Sequence, residues 1–188
     1  EDTIYIKPGT KIAVNKEVFD GKEEDYEAKR SVEVGNIFPF GSEKYAEKMG
    51  GVFTDTDGKQ KPLFFASYGI GITRLLGTLA EVFHDDRGII WPKVIAPYQV
   101  HLVVLSAKGE VLNKSDGIYQ KLLNAGIEVL YDDSERSAGE KLADCDLIGV
   151  PVRLVVSEKT GDKIEYKKRD QTQTELVTEE DIFKRLRE

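Results

Sequence analysis

The sequence predicts an α+β part built on an antiparallel sheet, followed by an α/β part built on a mixed sheet. Short apolar strand segments separated by turn residues dominate the first part, which contains one long helical segment. In the second part, apolar strand segments alternate with helical segments. A stretch rich in turn residues ends at Pro97, so we expect domains at residues 1–97 and 98–188.

The elements of the first part follow from turn signals and from alternating apolar residues. TIYIKPGTKIAVN predicts a strand and a turn, and the charged DGKEEDYEAKR predicts a loop or a short exposed helix. SVEVGNIFPFG predicts a strand, and a short helix follows from Ser42, its N-cap, to Gly50. We then expect a hairpin in which VFT pairs with LFFAS across an Asp57-Gly58 turn. A strand, a turn and a helix complete this part, ending at residue 83.

The elements of the second part alternate in type. Strands are predicted in QVHLVVL, IEVLYDD, VPVRLVVS and KIEYKKR. Helices are predicted in EVLNKSDGIYQKLLNAG, which stops at Gly126, and in AGEKLADCDLIG. A last helix begins at Thr178, and Asp181 completes its capping-box pattern. This alternation favours a mostly parallel sheet, and the EKTGD turn favours an antiparallel hairpin at its edge.

Composition excludes several classes of protein. The 188 residues carry a net charge of −7, which argues against a non-specific nucleic-acid coat but leaves specific RNA recognition through a local patch open. The lone Cys145 rules out a disulfide within the chain, and His84 and His101 lie too far apart in sequence to suggest a zinc site. No apolar run is long enough for a membrane span, and no signal-peptide pattern is present. We therefore expect a cytoplasmic protein that contacts no membrane.

The segment FFASYGIGITRLLG places a cation where a helix begins. Arg74 there is unfavourable by about 0.3–1 kcal/mol, because the helix N-terminus carries partial positive charge. Gly69 and Gly71 would let a flat ligand approach the backbone, and Arg74 could then bind a phosphate. The alternative is a tightly packed strand followed by a solvated arginine. The pattern matches neither the dinucleotide-binding fingerprint nor the phosphate-binding loop.

Two further segments carry candidate polar residues. SVEVGNIFPFG contains Glu33 and Asn36 beside apolar strand residues; Asn36 could bond a small ligand, or it could simply sit in a turn or bulge. In DDSERSAGEK, Arg136 and Lys141 follow a strand, where ligands of open α/β sheets bind. The alternative there is a solvated charged loop. We expect the basic residues of the edge hairpin to form an ordinary solvated face (Lys163, Lys167, Lys168 and Arg169).

Residues 31–188 resemble a known family. SVEVGNIFPFGSEKYAE, SYGIGITRLLGTLAE and HDDRGIIWPKVIAPYQVHLV resemble the C-terminal part of prolyl-tRNA synthetases, and GIGITR resembles motif 3 of class II synthetases. The resemblance implies that the first part is the end of an antiparallel class II catalytic domain. It also implies that Arg74 contacts the γ-phosphate of ATP, that adenine lies against Gly69 and Gly71, and that Ser67 and Asn36 line the proline pocket.

IEVLYDDSERSAGEKLADCDLIGVPVRLVV resembles the anticodon-binding domain of the same family. The resemblance implies that this part binds the anticodon of proline tRNA and reads its guanines with Asp133, Arg136, Lys141 and Lys159. The implied reaction activates proline with ATP, accompanied by Mg²⁺, and transfers it to the tRNA, in an enzyme that is a homodimer. We expect no metal site in this chain.

No stretch of the sequence resembles motifs 1 and 2 of class II synthetases. The resemblance therefore implies a C-terminal fragment of a proline–tRNA ligase, which we expect to be inactive alone. Two alternatives stay open: a stand-alone anticodon-domain module that binds RNA without catalysis, and a structural protein that binds neither ATP nor tRNA.

Overall fold

The computed structural model describes residues 2–106 and 109–187. The chain forms two compact units, Glu1–Thr78 and Leu79–Glu188. The second unit thus includes residues 79–97, which precede the sheet of the α/β part. The domain boundary expected after residue 97 stays a prediction.

The first unit begins with a three-stranded antiparallel sheet in the order β2-β1-β3. Its strands are β1 (Asp2–Ile6), β2 (Ala13–Asn15) and β3 (Glu27–Ser31). Tyr5 is buried, and its ring stacks on Phe19 with centroids 4.3 Å apart. The end of DGKEEDYEAKR was predicted to be a loop or a short helix, and this is wrong. That segment pairs with β1 and is therefore a strand.

The rest of the first unit contains two further antiparallel pairs of strands. In chain order the elements are β4 (Gly35–Gly41), α1 (Ala46–Met49), β5 (Val52–Thr54), β6 (Gln60–Pro62), β7 (Phe65–Ile70) and α2 (Ile72–Val82), whose residues after Thr78 belong to the second unit. Strand β4 pairs with β7, and β5 pairs with β6. The predicted strand, turn and helix through β7 and α2 are confirmed.

Two details of this region differ from the prediction. The chain returns from the Asp57-Gly58 turn along β6, so VFT does not pair with LFFAS, most of which belongs to β7. The short helix begins at Ala46 rather than after Ser42, because residues 42–45 first form a turn. Gly50 does end that helix, with a φ of 69°.

The second unit contains a small hairpin and a five-stranded sheet in the order β11-β10-β12-β13-β14. Strands β11, β10 and β12 run parallel, whereas β13 and β14 run antiparallel, as the predicted mixed sheet requires. Within this sheet the prediction missed β14, and it also missed the β8–β9 hairpin, which lies in the stretch interpreted as a turn-rich loop. The elements are β8 (His84–Asp85), β9 (Gly88–Ile89), β10 (Val100–Val104), α3 (Gly109–Asn124), β11 (Val129–Asp132), α4 (Ala138–Ile148), β12 (Val152–Val156), β13 (Ile164–Lys168), β14 (Glu175–Val177) and α5 (Glu179–Arg187).

Helices cover both faces of this sheet. Leu102 and Leu154 face one side, where they share a buried cluster with Leu122 of α3 and Ile182 of α5. Val103 and Val155 face the other side, where they pack with Cys145 of α4. The parallel strands end together, since Val103 lies opposite Asp132 and Val104 opposite Val156. We call this end of the sheet the carboxyl edge. In the described part of the chain, no helix has the length and apolar character needed to cross a membrane.

Candidate functional site

Main-chain bonds fix the start of α2 in the first unit. The Gly71 amide donates to the Val34 carbonyl over 2.9 Å, and the Gly71 carbonyl accepts from the Leu75 amide over 2.7 Å. The first bond ties the segment before α2 to the chain that enters β4. The second begins the hydrogen-bond ladder of the helix. The position of Arg74, within the first turn, is thus set by the backbone on both sides.

Glu33 connects Arg74 to Asn36. Arg74 Nη1 donates to the Glu33 carbonyl over 2.8 Å, and Asn36 Nδ2 donates to Glu33 Oε1 over 3.2 Å. Within the described residues one of the five N–H groups of this exposed guanidinium is used, which leaves the other four to contact an anion. The sequence alone assigns no site role to Glu33. Only its nearness to Asn36 in sequence could have suggested one.

Asn36, Ser67 and Gly69 lie on one face of the β4–β7 pair. Asn36 is directly opposite Gly69, and Phe38 is opposite Ser67, so alternation places all of these positions on the same face. No atom lies within 4 Å of where a Gly69 Cβ would be. Gly69 therefore leaves an open stretch of backbone beside Asn36, suited to contact with a flat ligand.

Lys141 lies at the carboxyl edge of the second unit, but its side chain is buried beneath the surface. Its side chain is 1% exposed, and its Nζ donates to the Val104 carbonyl over 2.7 Å. The same Nζ lies 3.6 Å from Asp132 Oδ1. Lys141 thus joins the ends of β10 and β11 beneath the loop that follows β11, rather than projecting from it.

Arg136 lies above this buried cation and is about half exposed, at 49%. Its Nη1 donates to Asp144 Oδ2, and its Nη2 lies 3.6 Å from Asp132 Oδ2. Burial raises the pKa of Asp132, but hydrogen bonds from Ser134 and the charges of Lys141 and Arg136 outweigh burial and lower it. The hydrogen bond to Asp144 raises the pKa of Arg136. Asp132 therefore stays ionised at neutral pH, and Asp132 and Asp144 together hold the guanidinium in place.

The other two predicted residues are exposed at the same edge. Asp133 is in the loop between β11 and α4. Lys159 is on the single 3₁₀ turn that follows β12. A capping box between Ser137 and Glu140 fixes where α4 begins, and so where the loop ends. The structure thus exposes Asp133, Arg136 and Lys159 at the carboxyl edge and places Lys141 underneath.

An ion-pair network centred on the buried Arg169, which the sequence did not predict, joins residues 83–93 to the rest of the second unit. We call residues 83–93 the strap. Arg169 is 4% exposed and donates to both carboxylate oxygens of Asp85, over 2.9 and 2.7 Å. Its Nε donates to the Asp146 carbonyl over 2.9 Å. The Arg169 guanidinium holds the pKa of Asp85 well below its usual range. Arg87 adds an ion pair with Asp146 at 3.0 Å.

The expected solvated face on the edge hairpin is therefore wrong for two of its four residues. Arg169 and Lys167 are both buried, whereas Lys163 and Lys168 are exposed. No sequence signal pairs Asp85 with Arg169, because 84 positions separate them. Among the described residues, no group of three or more His, Cys, Asp or Glu is arranged to hold a metal ion.

Comparison with known proteins identifies relatives of both parts of the chain. Residues 99–188 match a family model described as an anticodon binding domain. The proline–tRNA ligase of a Sulfurihydrogenibium species is 47% identical over 158 residues, which are 82% of this chain and 28% of that ligase. The proline–tRNA ligase of Zymomonas mobilis is 44% identical over 160 residues, which are 84% of this chain and 36% of that ligase.

A solved structure has the same fold. The structure of Giardia lamblia prolyl-tRNA synthetase in complex with prolyl-adenylate matches 79% of this chain and 32% of its own chain. The TM-score is 0.68 and the sequence identity 22%. The chain thus spans about a third of the length of these relatives and matches their C-terminal part. On the identities with the two bacterial ligases and the matched anticodon binding domain, the chain belongs to the prolyl-tRNA synthetase family.

Proposed function

We propose that the chain acts as part of an ATP-dependent, cytoplasmic proline–tRNA ligase that works as a homodimer. Its second unit binds the anticodon of proline tRNA, and its first unit contributes to the site for ATP and proline. The observation that carries this proposal is the 47% identity with a named proline–tRNA ligase over 82% of the chain.

The carboxyl edge of the second unit is the proposed RNA-binding surface. Asp133, Arg136 and Lys159 contact the anticodon guanines, Arg136 through the two acceptors on a guanine edge. Asp144 and Asp132 support this role, because they hold the guanidinium while leaving about half of the side chain exposed. Burial argues against direct base contact by Lys141, so we propose that it acts by holding the loop from below.

In the first unit, Arg74 binds the γ-phosphate of ATP, and adenine lies against the backbone at Gly69 and Gly71. Asn36 and Ser67 contact proline. The proline carboxylate attacks the α-phosphate and pyrophosphate leaves, which gives prolyl-adenylate. A hydroxyl of the terminal ribose of the tRNA then takes the prolyl group, and AMP leaves. The chain contributes by positioning the substrates and by neutralising phosphate charge. The described residues offer no acidic cluster for Mg²⁺, so we assign it no ligand here.

We further propose that these 188 residues do not activate proline by themselves. They span 28% to 36% of the length of the two ligases. Proline-dependent exchange of pyrophosphate into ATP measures this directly. A rate above the protein-free blank, lost in Arg74→Ala, would contradict the proposal.

RNA binding by variants of the carboxyl edge tests the function of the second unit. We expect Arg136→Ala to weaken binding of a labelled proline-tRNA anticodon stem-loop by about 5- to 150-fold, the loss of one good base contact. Lys184→Ala, which removes one exposed charge from α5, is the matched control and should leave most of the affinity. Equal losses in both variants would indicate non-specific charge attraction and would contradict the assigned role.

A further inference from the structure

A pocket of about 790 Å³ opens in the second unit, away from the carboxyl edge. Its lining includes Gln99 just before β10, Val152 at the start of β12, and Lys168 at the end of β13. These positions mark the opposite end of the sheet, because β13 runs antiparallel to β12. Strands of five residues put about 16 Å between the two ends. The pocket is therefore distinct from the proposed RNA-binding surface.

Bonds within the second unit preform the walls of this pocket. The strap supplies one wall, where Trp91 donates its indole N–H to the Ile148 carbonyl over 2.9 Å. Helix α5 supplies the other, where Arg185 lies over the Tyr166 ring at 5.0 Å and pairs with Glu175 at 2.7 Å. A ligand would meet apolar and aromatic surface already held in place, which lowers the entropy cost of binding.

The pocket is cationic in a chain that is acidic overall. Four cations and two acids line it, although the chain carries a net charge of −7 (Lys93, Lys168, Arg169 and Arg185; Asp170 and Glu175). Asp85 and Glu175 already pair with the two arginines. Lys93 and Lys168 are exposed. The two lysines outnumber the remaining acid, Asp170, so the balance favours an anionic ligand.

Arg169 adds hydrogen-bond donors that lack acceptors. A guanidinium has five N–H groups, and Asp85 and the Asp146 carbonyl accept from three of them. The other two have no acceptor within the described residues. Unmet donors on a side chain that is 4% exposed and lines a pocket favour an acceptor-rich ligand such as a phosphate.

We propose that this pocket binds a small organic phosphate bearing a flat ring, of the mononucleotide class. The ring packs against the wall that contains Trp91, and the phosphate accepts from Lys168 and Arg169. The volume lies within the range of about 300–1,000 Å³ that is usual for small-molecule sites. This site is separate from the one proposed for ATP at Arg74 and does not depend on it.

Trp91 makes the proposal directly testable, because it is the only tryptophan in the chain. Equilibrium dialysis with radiolabelled AMP measures binding, and Trp91 fluorescence reports where it occurs. We expect saturable binding of one AMP with a change in fluorescence. Adenosine should bind more weakly than AMP. Lys168→Ala should weaken AMP binding about 3- to 10-fold, as expected for one partly exposed charged contact. The charge-matched Lys184→Ala should bind AMP like the unmodified chain.

Three results would overturn the proposal. The first is the absence of saturable binding at AMP concentrations up to about 10 mM, because a weaker affinity would not indicate a preformed site. Another is equal affinity for AMP and adenosine, which would show that the phosphate is not recognised. The last is binding that Arg74→Ala abolishes and Lys168→Ala leaves intact, because AMP would then occupy the first unit.

Discussion

Gly149 lies where the strap meets the end of α4, and replacing it by alanine should loosen that contact. It ends α4 with a φ of 78°, a backbone conformation that residues other than glycine rarely adopt. A Cβ there would lie 1.9 Å from the Ile89 carbonyl oxygen and 2.4 Å from its carbon. The obstacle is backbone, so no side-chain rotation relieves it. The strap must move.

The size of the effect follows from two contributions. The left-handed backbone costs alanine roughly 1–2 kcal/mol. Forced displacement of a packed segment adds about 1–3 kcal/mol, as overpacking does elsewhere in protein interiors. We expect Gly149→Ala to lower the free energy of unfolding by about 2–5 kcal/mol.

Gly126→Ala is the matched control, since Gly126 has a φ of 76° after α3 and no atom within 4 Å of its would-be Cβ. Only the backbone contribution applies there, about 1–2 kcal/mol. Urea unfolding followed by Trp91 fluorescence reports on the second unit. Equal stability losses in the two variants would refute the close packing of the strap against α4.

Three further predictions concern buried polar groups of the second unit. Lys141→Met leaves the Val104 carbonyl without its buried donor and removes one of the two cations beside Asp132, so we expect urea unfolding to show a loss of about 1–3 kcal/mol. Burial lowers the pKa of His101, so below pH 6.5 the unfolded chain binds a proton that the folded chain does not. The free energy of unfolding should therefore decrease as the pH falls from about 7.5 to 5.5. His101→Gln should remove up to about 1.4 kcal/mol per pH unit of that decrease. Urea titrations that show the same dependence of unfolding free energy on pH in both proteins would contradict this. Burial also raises the pKa of Cys145 to about 12, so a thiol reagent should react only after denaturant is added; rapid reaction in native buffer would contradict this.

The α/β part was largely predictable because its signals are local. Its central strands β10 and β12 are largely apolar, and Gly126, Thr178 and Asp181 mark helix ends by their own chemistry. The antiparallel part depended on pairing choices that no local signal makes. Residues 27–31 form a strand because they pair with β1, and VFT pairs with β6. Register and partner are set by tertiary contacts, which single-sequence patterns do not encode.

Burial was the least predictable feature of the candidate sites. Lys141 and Arg136 stand five positions apart in one charged segment, yet one is buried and the other half exposed. The difference arises because Lys141 is inside α4, on the side that faces β10 and β11, while Arg136 precedes the helix. Arg169 is likewise predicted to belong to a solvated cluster. It is buried because the fold brings Asp85, 84 positions away in sequence, into contact with it.

The most direct test of the proposed anticodon recognition compares two RNAs on the unmodified chain. One is the anticodon stem-loop of proline tRNA, and the other is the same stem-loop with its guanines replaced. Each replaced base should cost about 1–3 kcal/mol of binding free energy, and the affinity for both RNAs should fall as salt rises. A difference of that size that persists across the salt series is the predicted result. Equal affinities at every salt concentration would contradict recognition of the anticodon by this chain.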